Sequence, residues 1–129
     1  LFGRMLVENA KILAPSLNIV DGVVASEGQG PCNGTPHPWG CVLAGEDFIA
    51  LDRVMSDAMG WQQHEIPHLK AAADMKIGAR SLDDIEIIGA TFEDIRMENW
   101  LRPRLIPISF NPFRLVVSYI KHRRQMRPV

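Results

Sequence analysis

The sequence predicts an α/β fold: a small layered sheet of about three strands with covering helices, part of a larger domain. Three observations carry this expectation. Helix-period segments alternate with strand-like ones along the chain. The stretch "LNIVDGVVAS" is nearly continuous in apolar and β-branched residues, the mark of a strand buried on both faces beneath helices. The order helix, strand, loop, strand, helix, helix, strand provides few strands for a finished sheet, so further strands are expected upstream.

Each element has a local reason. In "RMLVENAKIL", Met5, Leu6, Ile12 and Leu13 fall near helical spacing, and Ala14-Pro15 stops the helix because a residue before proline avoids helical geometry. "LNIVDGVVAS" follows as a strand with a bulge at Gly22. "WGCVLAG" is a short second strand. Asp47 caps a helix over "FIALDRVMSDAM", whose Ile49, Val54, Met55, Ala58 and Met59 form an apolar stripe, and Gly60 closes it. Pro67 opens the next helix, which Gly78 closes. "LDDIEIIG" is a third, isoleucine-rich strand. The prolines of "ENWLRPRLIPISFNP" rule out regular structure there, and "FRLVVSYIKHRRQ" is a final helix, apolar first and basic at its end.

The chain has 129 residues, one domain or part of one, with 47% hydrophobic and 22% charged content, as in ordinary globular chains. Its net charge of −1 hides a split. Residues 100–129 hold seven basic residues and no acid, whereas residues 1–99 hold seven basic and fifteen acidic. Such asymmetry suggests a body and an appended segment, solvated or packed on its own domain, with a membrane-surface or partner-binding helix as the functional readings. Nucleic-acid binding is disfavoured by the acidic body. No apolar run approaches the roughly 20 residues needed to span a bilayer. The N-terminus lacks a signal-peptide pattern and an initiating Met, so an excised fragment is expected. Cys32 and Cys41 form no metal or disulfide framework, which points to a reduced, cytoplasmic protein.

"HEIPH" at residues 64–68 matches the H-E-x-x-H zinc-protease pattern in letters alone. That chemistry needs both histidines on one helix face, and Pro67 breaks the helix between them. His64 and Glu65 therefore belong to a polar turn entering the helix that Pro67 begins.

The stretch with chemical interest is "EGQGPCNGTP", residues 27–36, with three glycines and two prolines. Glycines open backbone conformations closed to other residues, and successive N–H groups in such loops can cradle an anion. Glu27 could bind a cation or bond back to the loop's own N–H groups, and Asn33 and Thr35 add neutral polar groups. The spacing fits neither the P-loop nor the dinucleotide fingerprint. Residue chemistry leaves two readings open, a structural turn and a ligand loop.

The ordered series Asp21-Gly22, Glu27-Gly28-Gln29-Gly30-Pro31, Asp47, Ala50-Leu51-Asp52, Gly60 and Gly89 resembles the "domain of unknown function 362" family. The resemblance covers roughly residues 4–90. It implies that residues 1–90 are the C-terminal part of an uncharacterised α/β domain, and that 91–129 are a Pro-rich linker and basic tail. It further implies a bacterial or archaeal protein of unassigned activity, often joined to ferredoxin-like iron–sulfur modules. An iron–sulfur cluster would then lie in a neighbouring domain of the intact protein, since this chain lacks the cysteine spacing for one.

Two function classes follow. In the first, the chain belongs to a redox-linked protein and binds a small molecule or serves an electron-transfer partner, with Asp21, Glu27, Gly28, Gly30, Asn33, Gly34, Thr35 and Asp52 as ligand-binding candidates. In the second, it is a non-enzymatic binding or structural module whose basic tail holds a partner. A weaker reading gathers Asp21, Glu27, Asp47 and Asp52 around a hard cation such as magnesium, calcium or manganese. Asp47 is most simply a helix cap, and Asp52 lies about 140° around the helix from it. Cys32 is read as an inert exposed thiol, Cys41 as a core residue and His37 as an exposed loop residue.

Overall fold

A computed structural model describes residues 1–105 and 117. The α/β class holds, with four strands in two separate antiparallel pairs. Helix α1 spans Phe2–Leu13 and is followed by β1 (Asn18–Gly22), β2 (Ala25–Gln29), β3 (Asn33–His37) and β4 (Cys41–Gly45). Then come α2 (Phe48–Ala58), a 3-10 turn at Gln63–Glu65, α3 (Pro67–Met75), a second 3-10 turn at Leu82–Asp84, and α4 (Phe92–Ile95).

β1 pairs with β4 in the register Asn18↔Gly45 to Gly22↔Cys41, and β2 pairs with β3 from Ala25↔His37 to Gln29↔Asn33. The expected single long strand at 17–26 is therefore two strands. The Asp21 carboxylate accepts from the Val23 amide at 3.1 Å and turns the chain between them. The expected loop at 27–36 is a hairpin, because its polar residues pair across it. Nor is the first strand buried on both faces: Ile19 is 65% exposed, since β1–β4 has helix packed on one side only among the described residues. "LDDIEIIG" forms a 3-10 turn followed by residues 85–88 in no ladder, so the predicted third strand has no partner among the described residues.

The core lies between the helices. Val7 of α1, Ile49 of α2, and Leu69 and Ala72 of α3 are buried together, with Phe48, Ile66, Met75 and Ile77 packed around them. α1 approaches α3 closely because Gly3 lacks a side chain. A Cβ there would lie 2.2 Å from the Pro67 carbonyl oxygen. Asp47 caps α2 as its sequence predicts, its Oδ1 accepting from Ile49 N at 2.8 Å and Ala50 N at 3.1 Å. α3 ends earlier than Gly78, with Lys76 in the left-handed conformation at φ 57°. Gly78, at φ 67°, instead lets the chain pass over Ile49, whose Cβ would sit 2.5 Å from an added Cβ.

Candidate functional site

The glycine-rich hairpin is joined by a third line of chain. Gly28 N donates to Leu101 O at 2.8 Å, Leu101 N donates to Glu27 Oε2 at 3.0 Å, and Gln29 exchanges hydrogen bonds with the Arg104 backbone through its side-chain amide. Residues 101–104 are thus zipped along β2. Register also brings His37 to Glu27: Glu27 stands opposite Thr35, and His37 lies two residues further along the same face. His37 Nδ1 sits 3.1 Å from Glu27 Oε2, with both side chains largely buried. The edge of one ring meets the face of the other between His37 and Trp100, with centroids 5.3 Å apart at 76°.

Beside this latch lies a groove of about 460 Å³. Ser26, Gly28, Gly30 and Pro31 of the hairpin form one wall, and Trp61, Ile66, Trp100 and Pro103 line the rest. Arg102 stacks on Trp61 at 4.3 Å and bonds to Glu65 Oε1 at 2.9 Å and to the Gly60 carbonyl. The Trp100 indole Nε1 is buried with no hydrogen-bond partner among the described residues. A buried donor left unpaired costs about 1–3 kcal/mol.

Asp52 belongs to a different place. Its Oδ2 lies 3.0 Å from His68 Nε2, bridging α2 to the first turn of α3. Burial pushes the Asp52 carboxyl above its ordinary range, against the opposing pull of His68. Leu6, Val7, Ala10, Phe48 and Ile49 complete an apolar cleft of about 260 Å³ around the pair. The cleft shares no lining residue with the hairpin groove.

Of the residues singled out by sequence, Glu27, Gly28, Gly30, Asn33, Gly34 and Thr35 meet on one hairpin, and Gly28 and Gly30 reach its groove. Asp21 and Asp52 lie elsewhere, one in the β1 turn and one against His68. Asp47 is spent on its helix cap. Among the described residues no three His, Cys, Asp or Glu side chains gather as a metal group, so the four-carboxylate reading fails on geometry. The "HEIPH" reading falls as its chemistry requires: His64 and Glu65 occupy the 3-10 turn and Pro67 opens α3. Glu65 accepts from Gln62 N at 2.8 Å, and that bond first, then Arg102, holds its carboxyl below the usual glutamate value. Cys32 is exposed in the hairpin turn, and burial pushes the half-buried Cys41 thiol up. Of the basic tail, Arg102 and Arg104 are tied to the body, and residues 106–116 and 118–129, with the predicted final helix, lie outside the described residues apart from 117.

His37, Trp61, Trp100 and His68 were not singled out by sequence as site residues. His37 is not the exposed loop residue expected, because strand pairing turns it onto Glu27. A hairpin register drawn through "EGQGPCNGTPH" would have found that pair. Trp100 and His68 carry no such local signal, since their partners come from distant parts of the chain.

Residues 1–57 match the family model described as "Domain of unknown function (DUF362)". A thylakoid-associated protein of Synechocystis sp. (strain ATCC 27184 / PCC 6803 / Kazusa) is 37% identical over 123 residues, which is 94% of this chain and 38% of that protein. The chain therefore spans well under half the length of this relative. No solved structure matches it significantly. The family match runs from α1 into α2 and includes the Asp-Gly pair, the whole glycine-rich hairpin, Asp47 and Asp52, so over this segment the chain is similar to the domain of unknown function 362 family.

Proposed function

We propose that this chain is the ligand-binding part of a larger, redox-linked protein, and that it holds a small planar molecule in the groove between the glycine-rich hairpin and Trp61 and Trp100. The observation that carries the reading is the groove itself, of about 460 Å³, walled by the Trp61 and Trp100 side chains and by side-chain-free backbone at Gly28 and Gly30. Aromatic walls favour a flat ligand, and glycines permit close backbone approach. The family's frequent union with iron–sulfur modules supports an electron-transfer setting, with the cluster in another domain. A relative named for its association with thylakoids supports a place beside such a membrane, in an aqueous compartment that keeps Cys32 and Cys41 reduced.

The test uses the intact protein, purified without oxygen. Iron and acid-labile sulfide are expected in stoichiometric amounts. Titration with flavin mononucleotide and with menadione, two planar redox probes, is expected to quench tryptophan fluorescence saturably for at least one of them. Trp100→Ala should weaken that probe by about twofold to tenfold, the loss of one aromatic wall. No cluster and no saturable quenching would remove the proposal.

A second reading rests on Glu27. Its Oε2 already receives Leu101 N and stands against His37, so the carboxylate serves as a latch within the fold. Under this reading Glu27→Gln lowers stability by about 1 kcal/mol, seen as a lower urea midpoint, and leaves probe affinity unchanged. A loss of affinity at unchanged stability would assign the carboxylate to the ligand instead.

A further inference from the structure

A β-strand has two edges, and each carries backbone donors and acceptors that need partners. β4 uses one edge on β1. Its other edge has no strand beside it among the described residues. The segment Ile85–Ile88 lines the same slot as β4. Ile85 is extended, at φ −118° and ψ 123°. The four residues alternate between half-buried and exposed, the period of a strand, and three of them are isoleucine. Yet Glu86, Ile87 and Ile88 make no backbone hydrogen bond among the described residues. The segment has a strand's composition and alternation without a strand's partner among the described residues.

Residues 42–45 and 85–88 line one slot of about 240 Å³, together with Ala50, Leu51 and Val54 of α2. Its rim is apolar and open: Val42 is 61% exposed and Ile88 85%.

We propose that the slot receives one extended strand of the intact polypeptide, which pairs with β4 on one side and with Ile85–Ile88 on the other. The occupant's chemistry follows from the walls. A helix satisfies its own backbone and would leave both edges unpaired. Only an extended chain answers both rows of donors and acceptors at once. Its side chains are apolar on the face toward Leu51 and Val54, and apolar enough on the other to cover Val42 and Ile88. That the occupant belongs to the same polypeptide is supported by the relative, of which this chain spans 38%, leaving more than half that protein's length available for such a strand. An exposed apolar edge invites aggregation unless it is permanently covered, which a strand in the same chain achieves.

Hydrogen exchange on the intact protein tests the pairing. At least one amide among Glu86, Ile87 and Ile88 should exchange at least about 100-fold more slowly than in an unstructured peptide, as in a paired strand. Exchange at unstructured rates across all three would overturn the proposal. The occupant is tested by placing a photoreactive benzoylphenylalanine at position 42, and separately at position 88, in the intact protein. Unchanged circular dichroism checks that each substitution leaves the fold intact. Cross-links from both positions to one segment of the same chain outside residues 1–105 are expected. Cross-links to a second copy of the chain, or to a different protein, would overturn it.

Discussion

At the scale of the residue, four carboxylates in this protein serve as backbone caps. Asp47, Glu65, Asp84 and Asp94 each accept hydrogen bonds from amides at the start of a helix or 3-10 turn. Backbone N–H donors hold Glu65 and Asp84 below their ordinary values, and the Thr91 side chain first, then its amide, does so for Asp94. The sign of the resulting pH dependence follows. A carboxyl lowered in the fold is more protonated when unfolded, so its stabilisation is present above its unfolded value and lost as the pH falls through the lowered one. Glu65, with an ordinary value of 4.5, therefore contributes at neutral pH and loses that contribution below pH 4.5. Glu65→Gln should flatten the acid limb of a urea-midpoint profile in that range and lower the midpoint at pH 7. Asp47's cap was legible in sequence because helix caps use the residue's immediate neighbours. The Glu27–His37 pair was not, since it depends on which residues face each other across a hairpin that looked like a loop.

At the scale of the element, α1 depends on contact with α3 through a residue that has no side chain. A methyl group at Gly3 would drive into the Pro67 carbonyl at 2.2 Å, backbone that cannot swing aside. Gly3→Ala is expected to cost roughly 1–3 kcal/mol, the range for overpacking, despite alanine's better helix propensity. The check is a urea titration, and a midpoint at or above that of the parent would refute the close approach. The three long helices were legible because apolar spacing, Asp47 and Pro67 announce them locally. The strands were less so. "NIVDGVVASEGQ" is apolar, then polar, and its division at Asp21 depends on a side-chain turn, while "IEIIG" has strand composition whose pairing no neighbouring sequence can supply.

At the scale of the whole molecule, the residues singled out in sequence separate into four places: the glycine-rich hairpin, the Asp52–His68 cleft, the Asp47 cap of α2 and the turn after β1. The sequence order suggested one site because Asp21, Glu27, Asp47 and Asp52 lie within 32 residues, but proximity in sequence does not survive two antiparallel reversals. The hairpin groove is completed from the far side by Trp61 and Trp100, which no local pattern connects to it. The zipped segment 101–104 has a mechanical consequence. The polypeptide leaving Arg104 departs from the groove's own wall, so any load applied beyond it is carried first by the Leu101 and Arg104 bonds to β2. Peeling that segment away would remove Trp100 and Pro103 from the groove, while filling the groove would raise the force needed to peel it.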